Sequence, residues 1–473
     1  MIKYIGLLPE ILLILNIIFM SVVFIFRDKQ TPKTFTTINK YLVSATLIIS
    51  IVFYNISYHD IWFVNTPYTT VFKSAMFLIF LLISPLVGKW FLSKNYSSYE
   101  YYLYTNLMML GFSVALSSRH LIVLSLSLIL SYISGALLKK MQENTIDNKG
   151  VLTGFILKTM IVSFMLFIAT FILYNHSKSF AYSDLLLFYK TTAVGKIDII
   201  AVSMLLSVLM IMLGAVPFHF DRFQVIKDSI LPVATILAII PPIIAVGLIV
   251  MMFHDVFVSF SQNISVIMFW CGVLSIFFGG IGTGSVSNIR QVFGCVGLFY
   301  KGIVLLLLSY FNIASIQSGI VYFIIYIISA LGMYSCLYGI KSHGEYLSEL
   351  EEFSGMYTTR PYISSALLIF SVSLLGIPPF WGLLGNFKVV NNLLDQHSYY
   401  ILLYISVMLV FLAYGLLKVI KILYFNKHQH SFDRVDKGVY VSLIFYVGIM
   451  LAIIINPKYI LHDIENFISY LLS

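Results

Sequence analysis

Leu374–Lys388 reads LLGIPPFWGLLGNFK. The apolar run leading into it starts at Tyr362 and is long enough to span a bilayer, yet Gly376, Pro378, Pro379, Gly382 and Gly385 interrupt it. Proline has no N–H, so the carbonyls of Leu374 and Leu375 lose their helical partners. In hydrocarbon an unpaired carbonyl is costly, and such a break survives only inside protein or beside a water-filled cavity. A second break, Leu213–His219 (LGAVPFH, with Pro217), interrupts another apolar span upstream. Either alone reads most simply as a proline kink in a packed helix. Breaks at corresponding places in two halves of a chain point instead to a transport path.

Composition agrees with a membrane setting. Of 473 residues 60% are hydrophobic and 10% charged, against about 25% charged in soluble proteins. Mean hydropathy is +0.95. The formal charge of +9 is spread over short loops, so it marks the membrane rather than a nucleic-acid surface. Cys271, Cys295 and Cys336 lie in apolar spans without metal-ligand spacing, which assigns them to packing. The first apolar stretch contains Glu10 and lacks a small-residue cleavage site, so it reads as a retained helix rather than a leader.

Runs of about 17–25 apolar residues are membrane-span candidates. About 14 occur, near 5–26, 41–58, 70–93, 101–117, 120–138, 151–175, 198–218, 230–253, 263–283, 291–310, 317–340, 362–384, 398–424 and 438–456. The expected fold is an all-α polytopic membrane protein, one integral membrane domain over residues 1–473. Residues 1–100 hold helices 1–3, and 438–473 hold the last helix and an amphipathic tail. Lysine and arginine concentrate in loops after odd-numbered helices, which the positive-inside rule makes cytoplasmic. Both termini then face outward. The broken helices are the seventh and twelfth, five apart, so helices 4–8 (101–253) and 9–13 (263–424) form two inverted repeats.

Four stretches together carry a resemblance. Leu7–Glu10 (LLPE), Gly214–His219 with Leu231–Thr235 (GAVPFH, LPVAT), Ser287–Gly294 (SNIRQVFG) and Leu375–Lys388 with Leu416–Phe425 (LLKVIKILYF) occur in order over nearly the whole chain. The chain resembles the antiporter-like membrane subunits of respiratory complex I, and among them subunit N of NADH-quinone oxidoreductase. The resemblance implies a membrane-arm subunit of an assembly that couples electron transfer from NADH to quinone to proton translocation. It implies no cofactor on this chain. NADH, FMN, iron–sulfur clusters and quinone belong to partner subunits, and the neighbours are other membrane-arm subunits and lipid. The location implied is a bacterial inner membrane, or alternatively the mitochondrial one.

Such subunits carry protons on charged residues near mid-membrane, where charge is expensive and usually functional. This chain departs from that pattern. The glutamate expected in helix 5 falls on Ile129, and the helix 7 lysine on Met212. The helix 8 lysine falls on Pro241–Pro242, the helix 12 lysine on Asn386 and the helix 10 histidine on Tyr300. None of Met, Ile and Pro can carry a proton. The remaining candidates are displaced: Lys301 one residue past Tyr300, Lys388 two past Asn386, Lys158 in helix 6, and His219 at the end of helix 7. Lys158 is left unexplained, and the other three have a plainer role. Lys388 can snorkel to the interface, Lys301 can be a paired structural lysine, and His219 can cap a helix C-terminus. Glu345, Glu349, Glu351 and Glu352 read as a solvated face or a subunit contact. Two other functional readings stay open: a cation/proton antiporter subunit of the same fold, and a complex I subunit that keeps its place but no longer pumps.

Overall fold

The computed structural model describes residues 6–26, 32–54, 58–60, 62–94, 96, 98–141, 148–427 and 431–455. The expected amphipathic tail, 458–473, lies outside them. The chain forms two compact units, Met1–Leu213 with Asp228–Ile264 and Gly214–Lys227 with Ser265–Ser473.

The first unit contains α1 (Leu8–Phe26), α2 (Pro32–Val52), α3 (Pro67–Lys94), α4 (Tyr99–Ser117), α5 (Leu121–Lys139) and α6 (Asn148–Ser177). A short α7 (Tyr182–Thr191) and α8 (Lys196–Leu213) follow. Next, α9 (His219–Asp228) falls almost wholly in the second unit, and α10 (Leu231–Val250) returns to the first. Every residue of α10 is buried. A helix that is apolar all round belongs in a core, and α10 is the core of this unit. Its Pro241 and Pro242 sit inside a continuous helix, so this proline pair does not break the chain as Pro378 and Pro379 do. Only Ser118–His120 separate α4 from α5. That link is held at backbone level, where the Arg119 N–H donates to the Trp62 carbonyl and the Tyr182 N–H to the Arg119 carbonyl.

The second unit adds α11 (Ser261–Ser285), α12 (Ile289–Leu308), α13 (Ile313–Leu337), α14 (Pro361–Leu375), α15 (Gly382–Asp395), α16 (Tyr399–Phe425) and α17 (Lys437–Ile455). Asn288 and Asn312 cap α12 and α13, each accepting a backbone N–H one turn in, from Arg290 and Ser315. These two helices form the enclosed centre of the unit, while α16 is mostly exposed.

Eleven of the described helices are long and apolar enough to cross a membrane; α14 and α17 are shorter apolar helices. The helical membrane fold expected from the sequence is therefore what the chain adopts. Two small hairpins interrupt the all-α pattern, Tyr58–His59 with Val64–Asn65 and Lys341–Ser342 with Glu345–Tyr346. Each of the two interrupted spans is a pair of helices rather than one kinked helix: α8 then α9, and α14 then α15.

Candidate functional site

The break between α14 and α15 is built by its own sequence. Gly376 adopts φ +75°, a left-handed conformation that glycine takes without a steric penalty. Its N–H donates to the Ser373 carbonyl, and the Ile377 N–H to the Val372 carbonyl, a Schellman ending for α14. Pro378 and Pro379 follow, joined by a cis bond. The chain then re-enters helix at Gly382, whose missing side chain lets it lie against the Ser373 carbonyl. The Asn386 amide covers Gly376. A methyl group at Gly385 would sit 2.9 Å from Ile325 Cδ1 and 3.0 Å from the Tyr322 ring, so α15 packs closely on α13 here.

The orphan carbonyl expected at Leu374 has a partner. The buried Tyr300 hydroxyl of α12 donates to it. Tyr300 is stacked on Tyr322 at 4.7 Å and Tyr326 at 5.4 Å between ring centroids. The residue standing at the expected histidine position thus pins one end of the break. Tyr300→Phe keeps the ring stack and removes the hydroxyl. It is expected to destabilise the chain by about 1–3 kcal/mol, the cost of leaving a buried carbonyl unsatisfied. A thermal unfolding series in detergent measures this.

Lys301 is buried, 4% exposed, with its ammonium 6.0 Å from the Tyr326 ring centroid. It therefore shares Tyr326, and through it Tyr300, with the break. Lys388 is half-buried on α15. Lys158 is half-buried on α6, in the other unit.

His219 corrects one expectation. Gly214, at φ +76°, follows the last residue of α8, and His219 opens α9, so it sits at a helix N-terminus and caps no C-terminus. It is buried among the rings of Phe220, Phe223 and Phe278, with centroids 3.9, 5.5 and 5.2 Å away. Between them Val216 donates its N–H to Ser275 Oγ of α11, and Pro217 follows a cis bond. The side chains of Asp221 and Arg222 lie outside what the structure describes.

The other positions where the resemblance led one to expect charge hold apolar side chains. Met212 and Pro242 are buried, and Ile129 is half-buried. In the first unit Leu124, Leu128, Leu166, Leu205, Leu209, Met252 and Phe253 line a cavity of about 10 Å³. A water needs roughly that much room and two to four polar partners, and this lining supplies apolar side chains.

Sequence reasoning passed over one polar cluster. Glu10 of α1 and Lys73 of α3 form an ion pair at 2.7 Å, with side chains 5% and 0% exposed. Lys73 also donates to Asn65 Oδ1 at 3.2 Å. The available signal was one acid and one lysine inside otherwise apolar spans. In the loop before α14, two of the acidic residues turn inward on the chain, while Glu345 and Glu351 stay exposed. Glu352 accepts the Ser348 and Glu349 N–H groups, and Glu349 accepts from Asn288. Half of that cluster is a loop clasp rather than a solvated face.

Residues 118–413 match the family model described as NADH:quinone oxidoreductase/Mrp antiporter, TM. The chain is 28% identical over 256 residues to NADH-quinone oxidoreductase subunit N of Pelagibacter ubique, an alignment covering 54% of each chain. It is 24% identical over 467 residues to subunit N of Ruthia magnifica, covering 96% of this chain and 93% of that one. Among solved structures, a chain of respiratory complex I from Thermus thermophilus superposes with a TM-score of 0.79 at 17% identity, over 96% of this chain and 98% of that one. A chain of the Mrp complex from Dietzia sp. gives 0.86 at 14% identity, over 100% and 98%. These structures show a shared fold.

Proposed function

From the premise that the chain belongs to the NADH:quinone oxidoreductase/Mrp antiporter transmembrane family, we propose that it is an N-type membrane-arm subunit of NADH-quinone oxidoreductase. In this reading it sits in a bacterial inner membrane among other membrane-arm subunits. NADH, FMN, iron–sulfur clusters and quinone stay on its partners. Its helices form a single membrane domain with inverted halves, and both termini face outward.

We infer further that the chain does not move protons along the family's route through the second break. The Tyr300–Leu374 hydrogen bond carries this inference. A hydroxyl that caps a broken helix is committed to structure, and Asn386, which covers Gly376, can accept a hydrogen bond but cannot hold a proton at neutral pH. The assembly couples electron transfer to proton movement, and this chain serves it as a positioned member. Purification through a tag on this chain is expected to bring NADH dehydrogenase subunits with it; their absence ends the assignment. In vesicles, Lys301→Met is expected to leave the proton-to-electron ratio unchanged, and a lowered ratio would restore Lys301 as a carrier.

The superposition on the Mrp chain keeps a second reading in view, a cation/proton antiporter subunit. Cation-dependent proton flux in vesicles without NADH distinguishes it.

A further inference from the structure

Within the second unit, α14 and α17 leave a groove of about 640 Å³ between them. Tyr362 and Tyr440 form its mouth, with ring centroids 6.1 Å apart and the rings close to perpendicular. Further in, Ser365 and Ile369 of α14 and Gly448 and Leu451 of α17 line it. A methyl group at Gly448 would meet nothing within 4 Å, so the cleft is open there. The Ser365 hydroxyl donates to the Tyr362 carbonyl, so it is satisfied within α14 and the inner walls are apolar.

The groove is one leaflet deep. From Tyr440 to Leu451 is about 17 Å along α17 at 1.5 Å per residue. The hydrocarbon core of a bilayer is about 30 Å thick, so a groove that starts at one interface ends near mid-membrane. The two tyrosines mark the interface end, since such rings collect at headgroup level. A single lipid molecule spans that depth, whereas a membrane-spanning partner helix runs the full thickness.

The mouth carries positive charge that the chain does not pair. Lys437, the first residue of α17, precedes Tyr440 by one turn and so stands on the same face of the helix. Arg434 lies just ahead of α17, and both side chains are exposed. Arg360 immediately precedes α14, and its Nη2 donates to the Phe432 and Asp433 carbonyls at 2.8 and 2.5 Å. That ties its guanidinium to the loop carrying Arg434. The acids of this loop are engaged with backbone: Asp433 accepts the Gly344 N–H at 2.7 Å and Asp436 the Gly438 N–H at 3.3 Å. Among the described residues no carboxylate forms an ion pair with Arg360, Arg434 or Lys437.

We propose that the groove between α14 and α17 binds one phospholipid with an anionic headgroup. An acyl chain lies along Ile369, Gly448 and Leu451, and the headgroup phosphate sits at the mouth beside Arg434 and Lys437. The apolar walls accept any chain; the unpaired cations select the head. The positive-inside rule puts this end in the cytoplasmic leaflet, where basic residues near the surface are drawn to anionic lipid. Bound there, the lipid closes the membrane side of α14, the helix that ends at the Gly376 break.

The test uses the full chain in nanodiscs of mixed phosphatidylcholine and phosphatidylglycerol, and does not depend on its place in any complex. After transfer to mild detergent, native mass spectrometry reads which lipid stays bound. The wild type is expected to keep one phosphatidylglycerol in preference to phosphatidylcholine. Arg434→Gln and Lys437→Gln are each expected to lower that preference about fivefold. Gly448→Phe, whose ring enters open space, is expected to abolish retention. Equal retention of the two lipids by the wild type, or an unchanged preference in both charge variants, overturns the headgroup site. Full retention in Gly448→Phe overturns the groove as its location. In whole membranes, a photoreactive benzoylphenylalanine replacing Ile444 on the groove's rim is expected to crosslink to phospholipid. A crosslink instead to residues 456–473 of the same chain, or to a second protein, overturns the lipid as occupant.

Discussion

Gly382→Ala is expected to destabilise the chain by more than about 2 kcal/mol, although the change adds one methyl group. That methyl would lie within the space of the Ser373 carbonyl, and a backbone atom cannot rotate away as a side chain can. The turn from α14 to α15 must open, which strains the Gly376 ending and pulls Leu374 from Tyr300. Overpacking of this kind costs about 1–3 kcal/mol and more where backbone must move. Gly448 on α17 is the control, because a methyl there meets nothing within 4 Å. Gly448→Ala is expected to be neutral or stabilising, by up to about 1 kcal/mol from helix propensity. Heating detergent extracts and following the monodisperse fraction by size exclusion reads both. Equal behaviour of the two variants would remove the close approach at Gly382 as the cause.

Lys73→Met is expected to cost about 3–5 kcal/mol, because it leaves the Glu10 carboxylate buried without its cation. Glu10→Gln alone leaves Lys73 in the converse position and is expected to cost a similar amount. The two combined are expected to recover most of the loss, since an apolar and a neutral group of similar size replace both charges. Thermal unfolding of the two single variants and the double variant closes the cycle. Losses that simply add would mean the two residues do not act as a pair.

The membrane class, the helical fold and the family were legible in the sequence because each rests on a local signal. Apolar runs state their own length requirement. The breaks at Gly214–Pro217 and Gly376–Pro379 combine proline's missing N–H with a glycine two to three residues earlier that can turn left-handed. That Ile129, Met212 and Asn386 cannot carry a proton was equally plain, since a side chain's ability to hold one does not depend on its neighbours. The position of His219 was misread because an apolar run does not show where a left-handed glycine ends a helix. Gly214 ends α8 five residues before the histidine. The proline pair in α10 carried the same letters as the one at Pro378 and stayed helical.

What only the tertiary structure decided is who satisfies whom. Leu374 announces an orphan carbonyl, but nothing near it in sequence names Tyr300, 74 positions away, as its donor. Glu10 and Lys73 looked like isolated charges in separate spans until folding placed them 2.7 Å apart. The sequence by itself determined where backbone groups would be left without partners, because that follows from bonding within a few residues. Which distant side chain fills each need depends on helices meeting in three dimensions, and that is set by packing.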